Sequence, residues 1–158
     1  MLPKAAAYLL AACLLTCLAT APGCQQARKF SGVRTAVSNP APESPEGIVH
    51  QAIQSAMTAE EDAGWSRFRA LLHSKQLQSP SSERNWRTMN YSTLRRKVKL
   101  YLEDDTSPTY QLCYTEEPRP GAVKVFIANE KNPDNCTPCQ LEQDPAAGNA
   151  WRIMLCSI

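Results

Sequence analysis

The chain has 158 residues, 43% of them hydrophobic, with 17 basic and 15 acidic side chains and a formal net charge of +2. That balance lacks the basic excess of a dedicated nucleic-acid binder, and the length suits one domain with a modest core. Seven cysteines in so short a chain bring the redox compartment into question at once.

Lys4 is the lone charge before Arg28, and the apolar run Ala5 to Ala21 follows it, the order of an export signal. Ala19-Thr20-Ala21 offers an A-x-A cleavage pattern, but Pro22 would sit just past the scissile bond and obstruct it. Ala21-Pro22-Gly23-Cys24 resembles the lipobox of exported bacterial lipoproteins. The resemblance implies that residues 1–23 are removed and that Cys24 becomes an acylated first residue. The lipid bilayer is then a partner through Cys24, in a bacterial cell envelope and on an outer membrane facing the periplasm or the surface. An uncleaved anchor helix is the alternative, since about 17 to 25 apolar residues span a bilayer.

Cleavage at Cys24 divides the cysteines. Three lie at or before it, and four, Cys113, Cys136, Cys139 and Cys156, lie in the C-terminal third. An even set in an oxidising periplasm reads as a disulfide framework with three connectivities to choose among.

Residues 24–44 follow, with two prolines, scattered polar groups and no periodicity, as in a flexible tether with an r.m.s. reach of about 25 Å. The folded domain is expected over residues 45–158. Ser44-Pro45-Glu46 supplies an N-cap, a proline at the first helical position and an early acid, and Ile48, Ala52, Ile53 and Ala56 share a face. Thr58-Ala59-Glu60-Glu61 has the spacing of a capping box, and Trp65, Phe68, Leu71 and Leu72 recur at helical spacing behind it. Ser74 to Ser82 reads as loop. A third helical stretch starts near Ser79-Pro80 with Trp86 and Met89, but its stripe does not run in phase with Leu94, Val98, Tyr101 and Leu102, which are read as helix.

After Asp104-Asp105, an acidic pair read as a solvated turn, the period changes to two. Tyr110, Leu112 and Tyr114 alternate with Gln111, Cys113 and Thr115, and Val123, Val125 and Ile127 with Lys124 and Phe126. Turns are expected at Glu117 to Gly121, Asn132 to Asn135 and Asp144 to Asn149, with further strands at Thr137 to Gln143 and Ala150 to Ile158. The fold class is α+β, with N-terminal helices followed by a four-stranded antiparallel meander.

The opening PEGIVHQAIQSAM and the terminal Gly148-Asn149-Ala150-Trp151-Arg152-Ile153 carry a family resemblance. The chain resembles small exported lipoproteins of the nuclear transport factor 2-like, or cystatin-like, superfamily. Many of these end in Gly-x-x-Trp-Lys-Ile; here Arg152 replaces the lysine. The resemblance implies a cone-like domain over residues 45–158, its N-terminal helices packed on a curved four-stranded antiparallel meander; no catalytic motif of the superfamily carries over.

Chemistry has few candidates. Cys136-Thr137-Pro138-Cys139 has the Cys-x-Pro-Cys form of a redox pair, but the flanking pattern is loop then strand, without the helix that lowers a thiolate pKa. Pairing Gln140 with Arg152 would set Cys136 against Cys156 and leave Cys113 with Cys139; the other pairing considered joins Cys136 to Cys139 and Cys113 to Cys156. Zinc held by all four sulfurs is disfavoured by the oxidising compartment. His50 and His73, the two histidines, are expected in structural roles, His73 at the end of the second helix. Arg84, Arg87, Arg95, Arg96, Lys97 and Lys99 form a basic run that reads as a solvated helix face or an attractor of anionic headgroups. Trp65, Phe68, Trp86, Tyr101 and Trp151 either line a pocket or fill the core.

The expected function is a membrane-tethered, non-catalytic envelope lipoprotein binding a protein or a small apolar ligand, with no cofactor and no metal. The alternative is an enzyme: a thiol-disulfide oxidoreductase using Cys136 and Cys139, or a cone-fold lyase or isomerase.

Overall fold

The computed structural model describes residues 30–158. The expected signal peptide, Cys24 and the first residues of the tether lie outside that range. Among the described residues no helix is long and apolar enough to cross a membrane.

The α+β class holds: three helical units lie in the chain between the first strand and the other four of a five-stranded antiparallel sheet in the order β1-β2-β3-β4-β5. The strands are β1 (Thr35–Val37), β2 (Tyr110–Arg119), β3 (Ala122–Asn129), β4 (Asn132–Asp144) and β5 (Ala150–Cys156). The fifth strand corrects the expectation of four. Residues 35–37, assigned to the tether, pair with 110–112 of β2.

Helix α1 (Pro45–Met57) starts where the sequence places it: the Ser44 hydroxyl accepts the Gly47 N–H at 3.0 Å, and Pro45 occupies the first turn. Ile48, Val49, Ala52, Ile53 and Ala56 are buried on it, against β3 and β5. Helix α2 (Glu61–Ala70) is shorter than expected and lacks the capping box. Glu60 is its N-cap without a side-chain bond, while the Thr58 hydroxyl donates back to the Gln54 carbonyl. Gly64 sits where the two helices touch. A Cβ there would lie 2.5 Å from the Ser55 carbonyl oxygen and overlap the Tyr91 hydroxyl, which donates to that oxygen.

The third unit runs from Pro80 to Tyr101: α3 (Pro80–Asn85), a π-helical turn (Trp86–Tyr91), α4 (Ser92–Lys97) and a 3-10 turn (Val98–Tyr101). The π turn explains the phase break in the sequence. Its wider spacing places Trp86 and Tyr91, five residues apart, both in the core, before Leu94, Val98 and Tyr101 resume the α stripe; Met89 turns outward. The preceding stretch, read as loop, contains a 3-10 turn at Ser74–Leu77.

In the sheet, Val123, Val125 and Ile127 face the helices beside Leu141 and Ile153, as the alternation predicts. The turn expected at Glu117 to Gly121 narrows to 120–121 because β2 continues to Arg119, and the turn expected at Asn132 to Asn135 lies instead at 130–131, those four residues being the start of β4. Pro118 and Pro133 are tolerated because each lies where its strand is paired on one side only. A register shift between Leu112 and Tyr114 turns Tyr114 away from the face shared by Tyr110 and Leu112, so it is 41% exposed. The last turn forms as expected, with Gly148 and Asn149 both at positive φ.

Candidate functional site

The four domain cysteines form two disulfides, Cys113–Cys136 and Cys139–Cys156. This is neither of the two pairings favoured from the sequence. Residue 152 pairs with Glu142 rather than Gln140, and a register shift between Gln140 and Leu141 sets Cys139 directly opposite Cys156. Cys136 instead reaches across β3 to Cys113 on β2. The Cys-x-Pro-Cys cysteines are therefore bonded to different partners, and Cys139 is fully buried. None of the four sulfurs is a free thiolate for redox exchange or zinc.

Trp65, Phe68 and Trp86 do not surround a common cavity. They pack with Tyr91, the ring centroids of Phe68 lying 5.1 Å from Tyr91 and 6.2 Å from Trp86, and Trp65 5.6 Å from Tyr91. Tyr101 is buried farther along the third unit, and Trp151 is partly buried at the start of β5. Trp65, Phe68, Trp86 and Tyr91 thus pack between α2 and the third helical unit, while the 3-10 turn carrying Tyr101 contacts β3. Trp65 keeps an edge on a surface groove of about 470 Å³, lined also by Leu77, Gln78, Pro80, Arg84 and Arg87. That volume lies within the range of small-molecule sites. Arg87 pairs with Asp62 at its rim and Glu83 with Arg69. Among the described residues Arg84 has no carboxylate partner.

Ser74, His73 and Asp144 form a cluster that sequence reasoning missed. The three types invite comparison with a hydrolytic triad, yet the hydrogen bonds run otherwise. The Ser74 hydroxyl donates to Asp144 Oδ1 at 2.9 Å, and the Ser74 and Ala146 N–H groups donate to the same carboxylate at 2.8 and 3.0 Å. His73 Nδ1 accepts the Lys75 N–H at 3.1 Å, so it has no proton to give to Asp144 Oδ2, 3.8 Å away. The Ser74 hydroxyl lies 3.5 Å from His73 Nδ1 but gives its proton to the nearer Asp144 Oδ1, which is not the arrangement of a hydrolytic triad. Burial pushes the Asp144 carboxyl up, but the Ser74 and Ala146 donors outweigh it and hold it below the usual carboxylate range. The cluster is a latch, joined by Leu72 pairing parallel to Ile153 and by the His73 N–H donating to the Ile153 carbonyl. His73 does not end α2, which stops at Ala70; it caps the 3-10 turn.

His50 is buried on α1 and its Nε2 has no partner. Burial lowers its pKa, against a bond with the Ser38 backbone that raises it. The Asp104 carboxylate accepts from Thr106 in a tight turn, and Lys99 pairs with Asp105. The basic run is not a continuous face. Arg95 donates to the Thr58 and Ala59 carbonyls and lies over the Tyr91 ring, and Arg96 donates to Thr93.

On the face of the sheet turned from the helices, Phe30 stacks on Tyr114 at 5.7 Å and Tyr114 on Phe126 at 4.2 Å, with Pro138 opposite Phe126 on β4. Period-two alternation could have shown Phe126 and Pro138 sharing this face; Tyr114 reaches it through the register shift. The Phe30 N–H donates to the Asp134 carbonyl, fixing the start of the described chain beside this row. No known family, curated protein or solved structure matches the chain.

Proposed function

We propose that the protein is a membrane-tethered lipoprotein of the bacterial cell envelope, held in the bilayer by acylated Cys24, whose domain binds rather than catalyses. The observation that carries this reading is the pairing of all four domain cysteines in two disulfides between strands, the state expected of a chain exported to an oxidising compartment. His73, Ser74 and Asp144 are committed to capping and latching. The groove beside Trp65 is the binding site the geometry favours. It offers Leu77, Pro80 and the indole edge to an apolar body and Arg84 to an anionic group.

Expression in a bacterial host with labelled palmitate tests the reading. The wild-type chain incorporates label and sediments with membranes, whereas Cys24→Ala loses the label and becomes soluble. A wild-type chain that is unlabelled and soluble refutes it.

A further inference from the structure

The tether is much shorter than residues 24–44. Chain from Phe30 onward lies on the fold, with Phe30 stacked on Tyr114, so only five residues separate Cys24 from the folded part. Six peptide steps extend at most about 22 Å. A lipid held at Cys24 therefore keeps the Phe30 side of the domain beside the headgroups.

That side has the chemistry of an interface. The row Phe30, Tyr114, Phe126 and Pro138 crosses β2, β3 and β4 on the outward face. Val33 is 91% exposed on the segment leading to β1, and Leu155 is exposed opposite the outward Gln140. Met89, the remaining large exposed hydrophobic side chain among the described residues, stands alone on the helical layer. The charges nearest the row cancel, Lys124 with Glu116 and Arg119 with Glu142. Arg28 and Lys29 immediately precede Phe30 in sequence and suit anionic headgroups. Amphipathic aromatic rings and cations concentrate where bilayer meets water.

We propose that this outward sheet face rests on the lipid surface, with Tyr114 and Phe126 at headgroup level and the Trp65 groove turned toward solvent. The inference rests on lipidation of Cys24. The opposite docking, helical layer down, would have to use the basic run, whose Arg87, Arg95 and Lys99 are already engaged within the fold.

The test uses the full acylated chain in phosphatidylethanolamine and phosphatidylglycerol vesicles carrying brominated acyl chains. Mass of the N-terminal peptide first establishes the diacylglyceryl and acyl groups on Cys24; their absence overturns this proposal together with the lipoprotein reading. With acylation established, Phe126→Trp and Tyr114→Trp each add a fluorophore on the proposed face and Met89→Trp one on the helical layer. The added emission of F126W and Y114W is expected to fall about twofold on bromination, as for rings seated about 5–10 Å into the interface, while that of M89W is unchanged. Vesicle-bound protein in which M89W is quenched, or in which neither outward position is, overturns the docking while leaving the tether intact. Self-association through the same face in detergent, with F126W unquenched in vesicles, assigns the face to a second copy instead.

Discussion

Gly64→Ala sets two effects of opposite sign against each other. In a helix interior alanine is favoured over glycine by about 1 kcal/mol, so propensity alone predicts a more stable protein. The structure predicts the reverse. The new Cβ would stand 2.5 Å from the Ser55 carbonyl oxygen and inside the Tyr91 hydroxyl, so α2 must retreat from α1 or Tyr91 must leave the core. Overpacking costs about 1–3 kcal/mol, and losing the buried Tyr91 to Ser55 bond, 2.9 Å long, leaves polar groups unsatisfied at about 1–3 kcal/mol more. After subtracting the propensity gain of about 1 kcal/mol, a net loss of about 1–5 kcal/mol is expected, a large share of a typical total stability at its upper end. Urea unfolding of G64A, Tyr91→Phe and the double variant measures it. The two losses should be less than additive, because phenylalanine removes one of the overlapping atoms. A G64A protein as stable as wild type, or more so, would refute the close packing of α1 on α2.

Replacing Cys113 and Cys136 together by serine is expected to lower stability by about 3 kcal/mol, from the 23-residue separation the bridge closes, with the Cys139–Cys156 bond still present in a non-reducing digest. Asp144→Asn should cost about 1–3 kcal/mol near neutral pH, read by denaturant titration. Because the folded carboxyl lies below its unfolded value, the wild type holds this stabilisation above about pH 4 and loses it as pH falls through the folded pKa, so the two stability curves should converge in acid. His50 has the opposite protonation preference from a paired histidine: burial lowers its pKa, so the unfolded chain takes up the proton first. Stability should decline as pH drops below about 6.5, and His50→Leu should flatten that decline; an unchanged slope would remove His50 as its source.

The helical half was legible because its signals are local. Ser44-Pro45 caps α1 as written, and the stripe Ile48, Ala52, Ile53, Ala56 is the one buried. Where a signal was ambiguous the cause is physical. Thr58-x-x-Glu61 has capping-box spacing, but Thr58 ends α1, and its hydroxyl is taken by the previous helix. The stripe around Trp86 looked out of register because the π turn changes the period for one turn. In the sheet, alternation located the core strands β3 and β5. It could not show β1, a three-residue edge strand with two exposed side chains, nor the register shifts at Cys113 and Gln140 that decide the disulfides. The Ser74, His73 and Asp144 latch joins positions 70 apart, beyond any local pattern.

Every strand pairs with its neighbour in sequence, and both disulfides close within residues 113–156. From β2 to β5 the sheet is thus wired locally, which favours rapid formation, and it can oxidise without help from the helices, whereas β1 joins β2 only across the whole helical segment. The helices are likewise local. What joins the halves along the backbone is the parallel contact of Leu72 with Ile153 at the β5 edge, secured by Asp144, and the bridge of Leu102 to Tyr110 on β2. A chain emerging N-terminus first would make its helices, then the meander of β2 to β5, and close these seam contacts and the β1 pairing last. The cooperative barrier should therefore lie in docking two preformed layers, and weakening the seam would release a sheet that stays bridged while the helices melt.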